Sequence, residues 1–345
     1  MNAPVIADPI QEHGWLGLDD PDAWDAVVEA AGADVFHRAW FHRLARLRGE
    51  GEPQLFVWRT ASVLVVVPLL FRDIPGGGGC DVSSVYGYVG PAVCGRPRPG
   101  DVAQFRRALQ QALEARDVVS LFSRLHPLCD RRGWIEGLGQ TVSSSLTLAV
   151  PLDGTDATGL SRYRGSHRRE IARLQALGYW VQDEARSVDA FHELYASAMA
   201  RLGAGSRYSF SQEHIRMLID EGGMNLLVVR HGDDVAAAGL FTRGELGSHY
   251  FLSGTHPAHR KLAPSKLLVH AGCGWARERG AGWMHLGGGV GGSQDSLYRF
   301  KSGFGSRKYV FHTWRWVVDT DRYRWHCERV GAQDSGSFFP AYRCP

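Results

Sequence analysis

The chain has 345 residues, 44% of them hydrophobic, which excludes a single small module and favours two packed domains with a sizeable core. The net charge of +3 is unevenly distributed, because residues 1–150 carry 14 Arg and 17 acidic residues whereas the remainder carries 25 basic and 19 acidic residues. An anionic partner is therefore expected to bind the second half of the chain.

Residues 1–150 show the hydrophobic periodicity of an α/β domain. The predicted helices span residues 22–31, 39–48 and 101–116. The predicted strands span residues 55–59, 63–71, 82–89 and 118–123, the first two forming a hairpin. The glycine-rich stretch 74–79 is predicted to be a loop, and the small polar residues at 149–158 favour a domain boundary.

After that boundary a similar order of elements begins again. The predicted helices span residues 165–177, 188–201, 211–221, 264–279 and 294–300. The predicted strands are 179–183, a second hairpin within 225–243, 283–286 and 308–318. Residues 54–72 align with residues 225–243 at a constant separation of 171 residues, with five identities in 19 positions. Together with the repeated order of elements, this alignment predicts a tandem duplication.

The cysteines and the N-terminus bear on cellular location. The six cysteines are scattered without a C-x-x-C pair, which argues against a zinc ribbon and favours reduced thiols. Residues 1–20 lack the apolar core of a signal peptide, and the longest apolar run, residues 63–71, is too short to span a membrane. A cytoplasmic protein is therefore expected. His256 and His259 have H-x-x-H spacing without a carboxylate partner pattern, so no metal site is expected.

The second half resembles the GNAT type of N-acyltransferase fold in its order of helix, hairpin, strand, basic helix, strand and glycine loop. In that family a Gln/Arg-x-x-Gly-x-Gly/Ala loop before the basic helix holds the pyrophosphate of acetyl-CoA through backbone N–H groups. The corresponding stretch here, residues 259–266, contains no glycine, and Pro264 has no N–H. Acetyl-CoA is therefore not expected to bind, and no cofactor is predicted.

Three motifs carry a more specific resemblance. They are Tyr86-Gly-Tyr-Val-Gly-Pro91, Gly165-Ser-His-Arg-Arg-Glu-Ile-Ala-Arg173, and Leu297-Tyr-Arg-Phe-Lys-Ser-Gly-Phe-Gly305 preceded by His285-Leu-Gly-Gly-Gly289. Together they are similar to the FemAB (FemX-type) aminoacyl-tRNA-dependent peptidyltransferases over most of the chain. The resemblance implies an α/β fold of two tandem GNAT-like domains with mixed sheets flanked by helices. Domain 1 is then residues 1–150, completed by 316–345 if the last strand returns to it, and domain 2, residues 151–315, binds tRNA and carries the catalytic site.

The positions of the lysines support a catalytic site in domain 2. All four lysines lie between residues 261 and 308, in a chain that otherwise uses arginine, which indicates a specific need for a compact ammonium group. Lys301 is a candidate for stabilising the oxyanion that forms when an amine attacks an aminoacyl ester, with Phe300 beside it in the motif. An ordinary surface lysine is the alternative. Asp295 and His285 are candidate general bases that the sequence does not separate.

Two further groups of residues are candidate binding sites. The predicted tRNA-binding residues are basic side chains and loop glycines that suit phosphate: Arg164, Arg168, Arg169, Arg260, Lys261, Lys266, Gly288 and Gly289. The predicted acceptor-binding residues are Arg43, Tyr86, Tyr88, Tyr208 and Tyr250. A solvated basic face, a plain β-to-α turn and buried sheet tyrosines are the structural alternatives.

The function expected from the resemblance is transfer of an amino acid from charged tRNA to an amine, forming a peptide bond, with aminoacyl-tRNA as co-substrate. Cell-wall members of the family hold the acceptor's nucleotide diphosphate partly through a lysine in the first domain, where this chain has none and Arg43 would have to substitute. A smaller or carrier-bound peptide, as in antibiotic assembly, is therefore favoured over a peptidoglycan precursor. The alternatives are an acyl-CoA-dependent N-acyltransferase and a non-catalytic RNA-binding protein.

Overall fold

The structure is a computed structural model that describes residues 13–153, 156, 158–203, 209–244, 246–332 and 338–344. The helices of this part of the chain are α1 (Pro21–Ala30), α2 (Ala39–Leu47), α3 (Asp101–Glu114), α4 (Arg132–Ile135), α5 (Gly165–Ala176), α6 (Val188–Arg201), α7 (Gln212–Asp220), α8 (Ser265–Glu278), α9 (Ser296–Ser302) and α10 (Thr320–Arg329). Short 3-10 turns accompany them, including Pro257–Leu262 and Val290–Gly292. None of the helices in the described residues is both long and apolar enough to cross a bilayer.

The strands of the described residues are β1 (His13–Gly17), β2 (Glu52–Arg59), β3 (Val63–Asp73), β4 (Cys80–Ser83), β5 (Ala92–Gly95), β6 (Val118–Arg124), β7 (Gln140–Pro151), β8 (Trp180–Asp183), β9 (Asn225–His231), β10 (Asp234–Gly244), β11 (Gly247–Thr255), β12 (Trp283–Gly287) and β13 (Arg307–Val317). The chain divides into two compact units: a first unit of Met1–Ser144 and Phe311–Pro345, and a second unit of Ser145–Val310. These units begin and end a few residues from the predicted domain boundaries at 150 and 315.

The first unit contains a mixed sheet in the order β1-β2-β3-β4-β6-β13, with β5 also pairing with β3. Its strand pairs are antiparallel except β4 with β6. Alternate residues of β2 enter different cores: Leu55 and Val57 pack with Trp24 of α1, and Phe56 and Trp58 pack with Phe105 of α3. Because helices cover both faces, β2 reads as a continuous apolar run rather than an alternating one.

The second unit repeats this arrangement with the order β7-β12-β11-β10-β9-β8. Here the parallel pair is β11 with β12, and the other pairs are antiparallel. Its core joins strand residues such as Val229 and Phe241 to Leu268 of α8 and Ile171 of α5. Gly272 of α8 lies so close to the Phe241 ring that a Cβ there would overlap it, so a glycine lets the helix approach the sheet.

The repeat predicted from the sequence agrees with these elements. At a separation of 171 residues, β3 coincides with β10, and β2 begins and ends close to the equivalent of β9. One predicted strand is wrong, since the segment 82–89 forms a strand only up to Ser83. After Ser83 the backbone is irregular, and Gly87 has a φ angle of 124°, which lies outside the extended strand conformation. The sequence analysis also missed several elements, namely β1, β5, β7, β11, α4 and α10.

Candidate functional site

The predicted catalytic residues lie on α9, which comes after the glycine loop that ends β12. Asp295 begins the helix by accepting hydrogen bonds from the backbone N–H groups of Tyr298, at 2.9 Å, and Val290, at 3.2 Å. Burial acts to raise the pKa of this carboxyl, but those N–H groups and the Lys301 charge outweigh it and lower the pKa. A carboxylate committed to capping, with a lowered pKa, is a weak general base, so the capping role is favoured for Asp295.

Lys301 points from α9 into the second unit and is 8% exposed. Its Nζ donates a hydrogen bond of 2.7 Å to the carbonyl oxygen of Gly288. Burial lowers the pKa of Lys301 to about 8, although the Asp295 charge acts in the opposite direction. At neutral pH the group is therefore mainly a buried ammonium, which has two N–H bonds besides the one donated to Gly288.

The glycine loop after β12 is shaped by the chain itself. A Cβ on Gly288 would lie 2.8 Å from the carbonyl oxygen of Leu146, and one on Gly289 would overlap Ser293 and Asp295. Both glycines are thus required for close approach of backbone to backbone, independently of any ligand. This close approach accompanies the position of the Gly288 carbonyl oxygen within hydrogen-bond distance of Lys301 Nζ. Contact of the two glycines with RNA stays a prediction.

Two of the sequence motifs meet in space, because the start of α5 packs against the end of α9. The Arg164 N–H donates to the carbonyl oxygen of Gly303 at 2.8 Å, and His167 Nε2 lies 2.9 Å from the carbonyl oxygen of Phe300. The His167 ring stands edge-on to Phe304 with centroids 4.8 Å apart. Burial lowers the pKa of His167, which favours a neutral ring donating from Nε2. We call this set of contacts the α5–α9 latch.

The α5–α9 latch explains why Phe300 and Gly303 occupy their positions in the motif. Phe300 packs on Phe304 with centroids 5.3 Å apart and supplies its carbonyl to His167. A Cβ on Gly303 would overlap the His167 ring, so this position of the motif requires glycine. The sequence analysis did not single out His167 or Gly303, since no local pattern links residues so far apart in the chain. Both residues lie in motifs that resemble the FemAB family, and this was the signal that could have identified them.

The basic face predicted on α5 is exposed. His167, Ile171 and Leu174 are buried, whereas Arg168 and Arg169 face outward. Within the described ranges, no carboxylate forms an ion pair with either arginine. Arg164 is also exposed and its Nη2 lies 3.4 Å from Ser302 Oγ. These side chains are therefore available to phosphate.

The other predicted tRNA-binding residues surround the start of α8. Lys261 is exposed, and Arg260 is half-buried in the Pro257–Leu262 turn. Lys266 forms an ion pair with Glu170 of α5, so part of its charge is already balanced.

The loop before α8 is the stretch in which the sequence lacks the glycines of a pyrophosphate cradle. Pro264 is the N-cap and has no N–H. The N–H groups of Ala263 and Lys266 donate to Arg260 and Ala263 carbonyl oxygens, each at 3.0 Å. The Ser265 hydroxyl is 2.7 Å from Thr255 Oγ1. These donors are thus engaged within the chain, and the absence of acetyl-CoA binding stays a prediction.

His259 has contacts that its H-x-x-H spacing did not reveal. The Tyr179 hydroxyl lies 2.7 Å from His259 Nδ1, and Asp234 Oδ2 lies 3.4 Å from His259 Nε2. Tyr179 also stacks on His231 with centroids 4.4 Å apart. These contacts join the loop before α8 to the β9–β10 hairpin and give His259 a structural role in the second unit.

The predicted acceptor-binding residues are divided between the units. In the first unit, Arg43 is exposed on α2, Tyr86 is half-buried, and Tyr88 lies edge-on to Phe36 and Phe311. In the second unit, Tyr250 of β11 packs on Phe241, and burial raises its pKa to about 12. Tyr208 lies outside the described residues.

Comparison with known proteins finds several with a similar fold. Residues 161–302 match the family model described as an acetyltransferase (GNAT) domain. FemX is similar with a TM-score of 0.70 and 14% identity over 91% of this chain and 99% of its own. L-PGS from Bacillus licheniformis has a TM-score of 0.54 and 14% identity over 87% and 92% of the two chains. A conserved protein of unknown function from Bacteroides thetaiotaomicron has a TM-score of 0.57 and 11% identity over 88% and 98%. No curated protein sequence matches the chain.

The chain therefore has a FemX-type tandem GNAT fold, as the sequence motifs predicted. The α/β class with mixed sheets flanked by helices is confirmed as well. A GNAT-fold acyltransferase is the class of enzyme that this fold supports.

Proposed function

We propose that the chain is an aminoacyl-tRNA-dependent transferase that forms an amide bond between the amino acid and an acceptor amine. The observation that carries the proposal is the buried Lys301 ammonium, held by the carbonyl oxygen of Gly288 at 2.7 Å. A buried cation is costly to maintain, so its retention in a transferase fold favours a role in the chemistry.

In the proposed reaction, the acceptor amine attacks the carbonyl carbon of the aminoacyl ester and forms a new C–N bond. The carbonyl oxygen becomes an oxyanion, which a Lys301 N–H stabilises by an effect worth about 3 kcal/mol for a well-placed donor. The intermediate collapses, the ester C–O bond breaks, and the ribose hydroxyl of the tRNA leaves with the proton that the amine loses. No covalent enzyme intermediate is needed.

The donor is proposed to be RNA because of the exposed arginines on α5. Arg168 and Arg169 face outward directly after His167 of the α5–α9 latch, on the helix whose start contacts the end of the Lys301 helix. Phosphates of a charged tRNA bound on this face would release counterions and place its 3′ end beside α9. The acceptor is proposed to be an amine-bearing peptide or peptide-like molecule, free or attached to a carrier, in natural-product or cell-wall precursor synthesis.

A second candidate is an acyl-CoA-dependent N-acyltransferase, which the family match over residues 161–302 favours. The loop before α8 argues against it, because Pro264 provides no N–H and the Ala263 and Lys266 donors are engaged. Calorimetry with acetyl-CoA is therefore expected to show no specific binding. Saturable micromolar binding would favour this second candidate.

The proposal is tested by mass spectrometry of reactions that contain total charged tRNA and candidate amine acceptors. An acceptor increased in mass by one amino acid residue is expected, and it should disappear after ribonuclease treatment of the tRNA. Lys301→Ala serves as the inactive control, and Lys308→Ala, which removes an exposed lysine, serves as the matched active control. Ribonuclease-resistant product formation from acetyl-CoA would contradict the proposal, and RNA binding without any turnover would leave a non-catalytic RNA-binding protein.

A further inference from the structure

A cavity of about 340 Å³ lies in the first unit, whereas Lys301 belongs to the second. It lies between the glycine loop 74–79, the end of α10 and the C-terminal segment. Its lining residues are Ile74, Pro75, His326, Arg329, Val330, Tyr342, Arg343 and Cys344. The volume is within the range of small-ligand sites, which begins at about 300 Å³.

The charged residues of the lining are basic. Arg329 donates to the carbonyl oxygens of Gly76, at 2.9 Å, and Pro75, and within the described residues no carboxylate forms an ion pair with it. Arg343 forms an ion pair with Asp81, which is fully buried and also pairs with Arg72 at 2.6 Å. The Arg343 charge is thus already paired, whereas Arg329 brings to the wall a positive charge that no described carboxylate pairs with. The cavity therefore favours an anion.

His326 adds a polar atom without a partner. Its side chain is 1% exposed, Nε2 lies 3.2 Å from the carbonyl oxygen of Gly78, and Nδ1 has no hydrogen-bond partner among the residues that the structure describes. His326 is therefore a buried ring in the cavity wall that lies within hydrogen-bond distance of the loop carbonyl of Gly78.

The cavity wall also explains the run of four glycines at residues 76–79. Gly76, Gly77, Gly78 and Gly79 all have positive φ angles, from 77° to 112°. A Cβ on Gly76 would overlap the Arg329 guanidinium, so the glycine allows the loop carbonyls to approach that side chain. The loop thus holds Arg329 and His326 in place through backbone acceptors.

We propose that this cavity binds a small organic anion. Its carboxylate or phosphate group lies against Arg329 and Arg343, and its apolar part lies against Ile74, Val330 and Tyr342. A planar guanidinium pair suits either oxyanion, and the apolar lining favours an organic anion over an inorganic one. The site belongs to the first unit alone and does not depend on the proposed transfer reaction.

Cys344 provides a direct test because it lines the cavity and is exposed, whereas Cys94 is exposed outside the lining and serves as an internal control. Alkylation by iodoacetamide is followed at both cysteines by mass spectrometry in the presence of phenyl phosphate, benzoate or inorganic phosphate. At least one organic probe is expected to slow the modification of Cys344 and leave Cys94 unchanged. Comparison of phenyl phosphate with benzoate identifies the preferred oxyanion.

Arg329→Gln should raise the protecting concentration roughly tenfold, the effect of losing one charge-assisted hydrogen bond. Arg324→Gln, an exposed arginine of the same helix paired with Asp321, should leave it unchanged. Val330→Trp, which fills the cavity from an exposed position, should abolish protection without removing charge. Melting curves establish that each variant is folded. Equal protection of both cysteines, no protection, or equal effects of the two arginine variants would overturn the proposal.

Discussion

In the first unit the chain passes through α3 between the parallel strands β4 and β6, and in the second unit it passes through α8 between the parallel strands β11 and β12. The two units differ after the second of these parallel strands. After β12 come the glycine loop and α9 with Lys301, whereas after β6 come residues 125–131 and the short α4, and neither segment of the first unit contains any lysine. The duplicated strands and helices thus provide the same frame twice, and a loop and a helix added to one copy provide the candidate chemistry.

The largest effect is expected from removing the ammonium group of Lys301, which has no counterpart in the lysine-free first unit. Lys301→Ala is expected to reduce single-turnover aminoacyl transfer by roughly 100-fold, the effect of losing one oxyanion donor. The affinity for tRNA should change little, because one charge is a small part of a large basic face. Lys308→Ala, which removes an exposed lysine from β13, should retain full activity.

If transfer rates survive in Lys301→Ala while tRNA affinity collapses, Lys301 is a binding residue and the catalytic assignment is wrong. A loss of rate in both lysine variants would instead indicate a general effect of charge.

Lys301 should also destabilise the second unit. Its pKa of about 8 in the folded chain lies below the ordinary value of 10.5, so the folded state binds the proton less tightly than the unfolded state. Burial of the cation therefore lowers the free energy of unfolding by roughly 3 kcal/mol below pH 8, at about 1.4 kcal/mol for each pKa unit. This cost decreases as the pH rises from 8 to 10.5.

Lys301→Met should accordingly stabilise the protein by about 2 kcal/mol at pH 6.5, after a deduction of about 1 kcal/mol because the Gly288 carbonyl is left unpaired. The gain should shrink at pH 9.5. Urea denaturation at the two pH values measures both quantities. A variant that is less stable than the wild type at both pH values would show that burying the ammonium carries no net cost.

The α5–α9 latch has no counterpart among the motifs of the first unit, and Gly303 tests it. Gly303→Ala should lower the free energy of unfolding by about 1–3 kcal/mol, since the added Cβ overlaps the buried His167 ring. The matched variant is Gly274→Ala in α8, where a Cβ meets no described atom within 4 Å and alanine should stabilise the helix by up to about 1 kcal/mol. Urea denaturation of both variants should therefore give shifts of opposite sign, and equal shifts would argue that the latch accommodates a side chain.

The sequence predicted the elements whose signal is local. The apolar runs of the two hairpins and the separation of 171 residues between them were sufficient to locate β3 and β10. It failed where the conformation depends on distant contacts, as for β7, which pairs with β12 and whose Leu148 and Val150 pack in the core of the second unit. The same limit applies to the site. Lys301 was identifiable as a rare residue type in a motif, whereas the approach of His167 to Gly303 depends on tertiary packing that no spacing rule contains.

The smallest expected effect concerns the exposed arginines of α5 on the basic face of the second unit. The double variant Arg168→Glu and Arg169→Glu should weaken tRNA binding and reduce the slope of log affinity against log salt by about 0.9 for each phosphate that is no longer bound. The control is Arg107→Glu on α3, an exposed arginine of the first unit outside the predicted tRNA-binding face. Binding titrations across salt concentrations measure both slopes. Because each bound phosphate releases its own counterions, an unchanged slope in the α5 variant would mean that these arginines face only solvent, whereas a change in the Arg107 variant alone would place the RNA on the first unit.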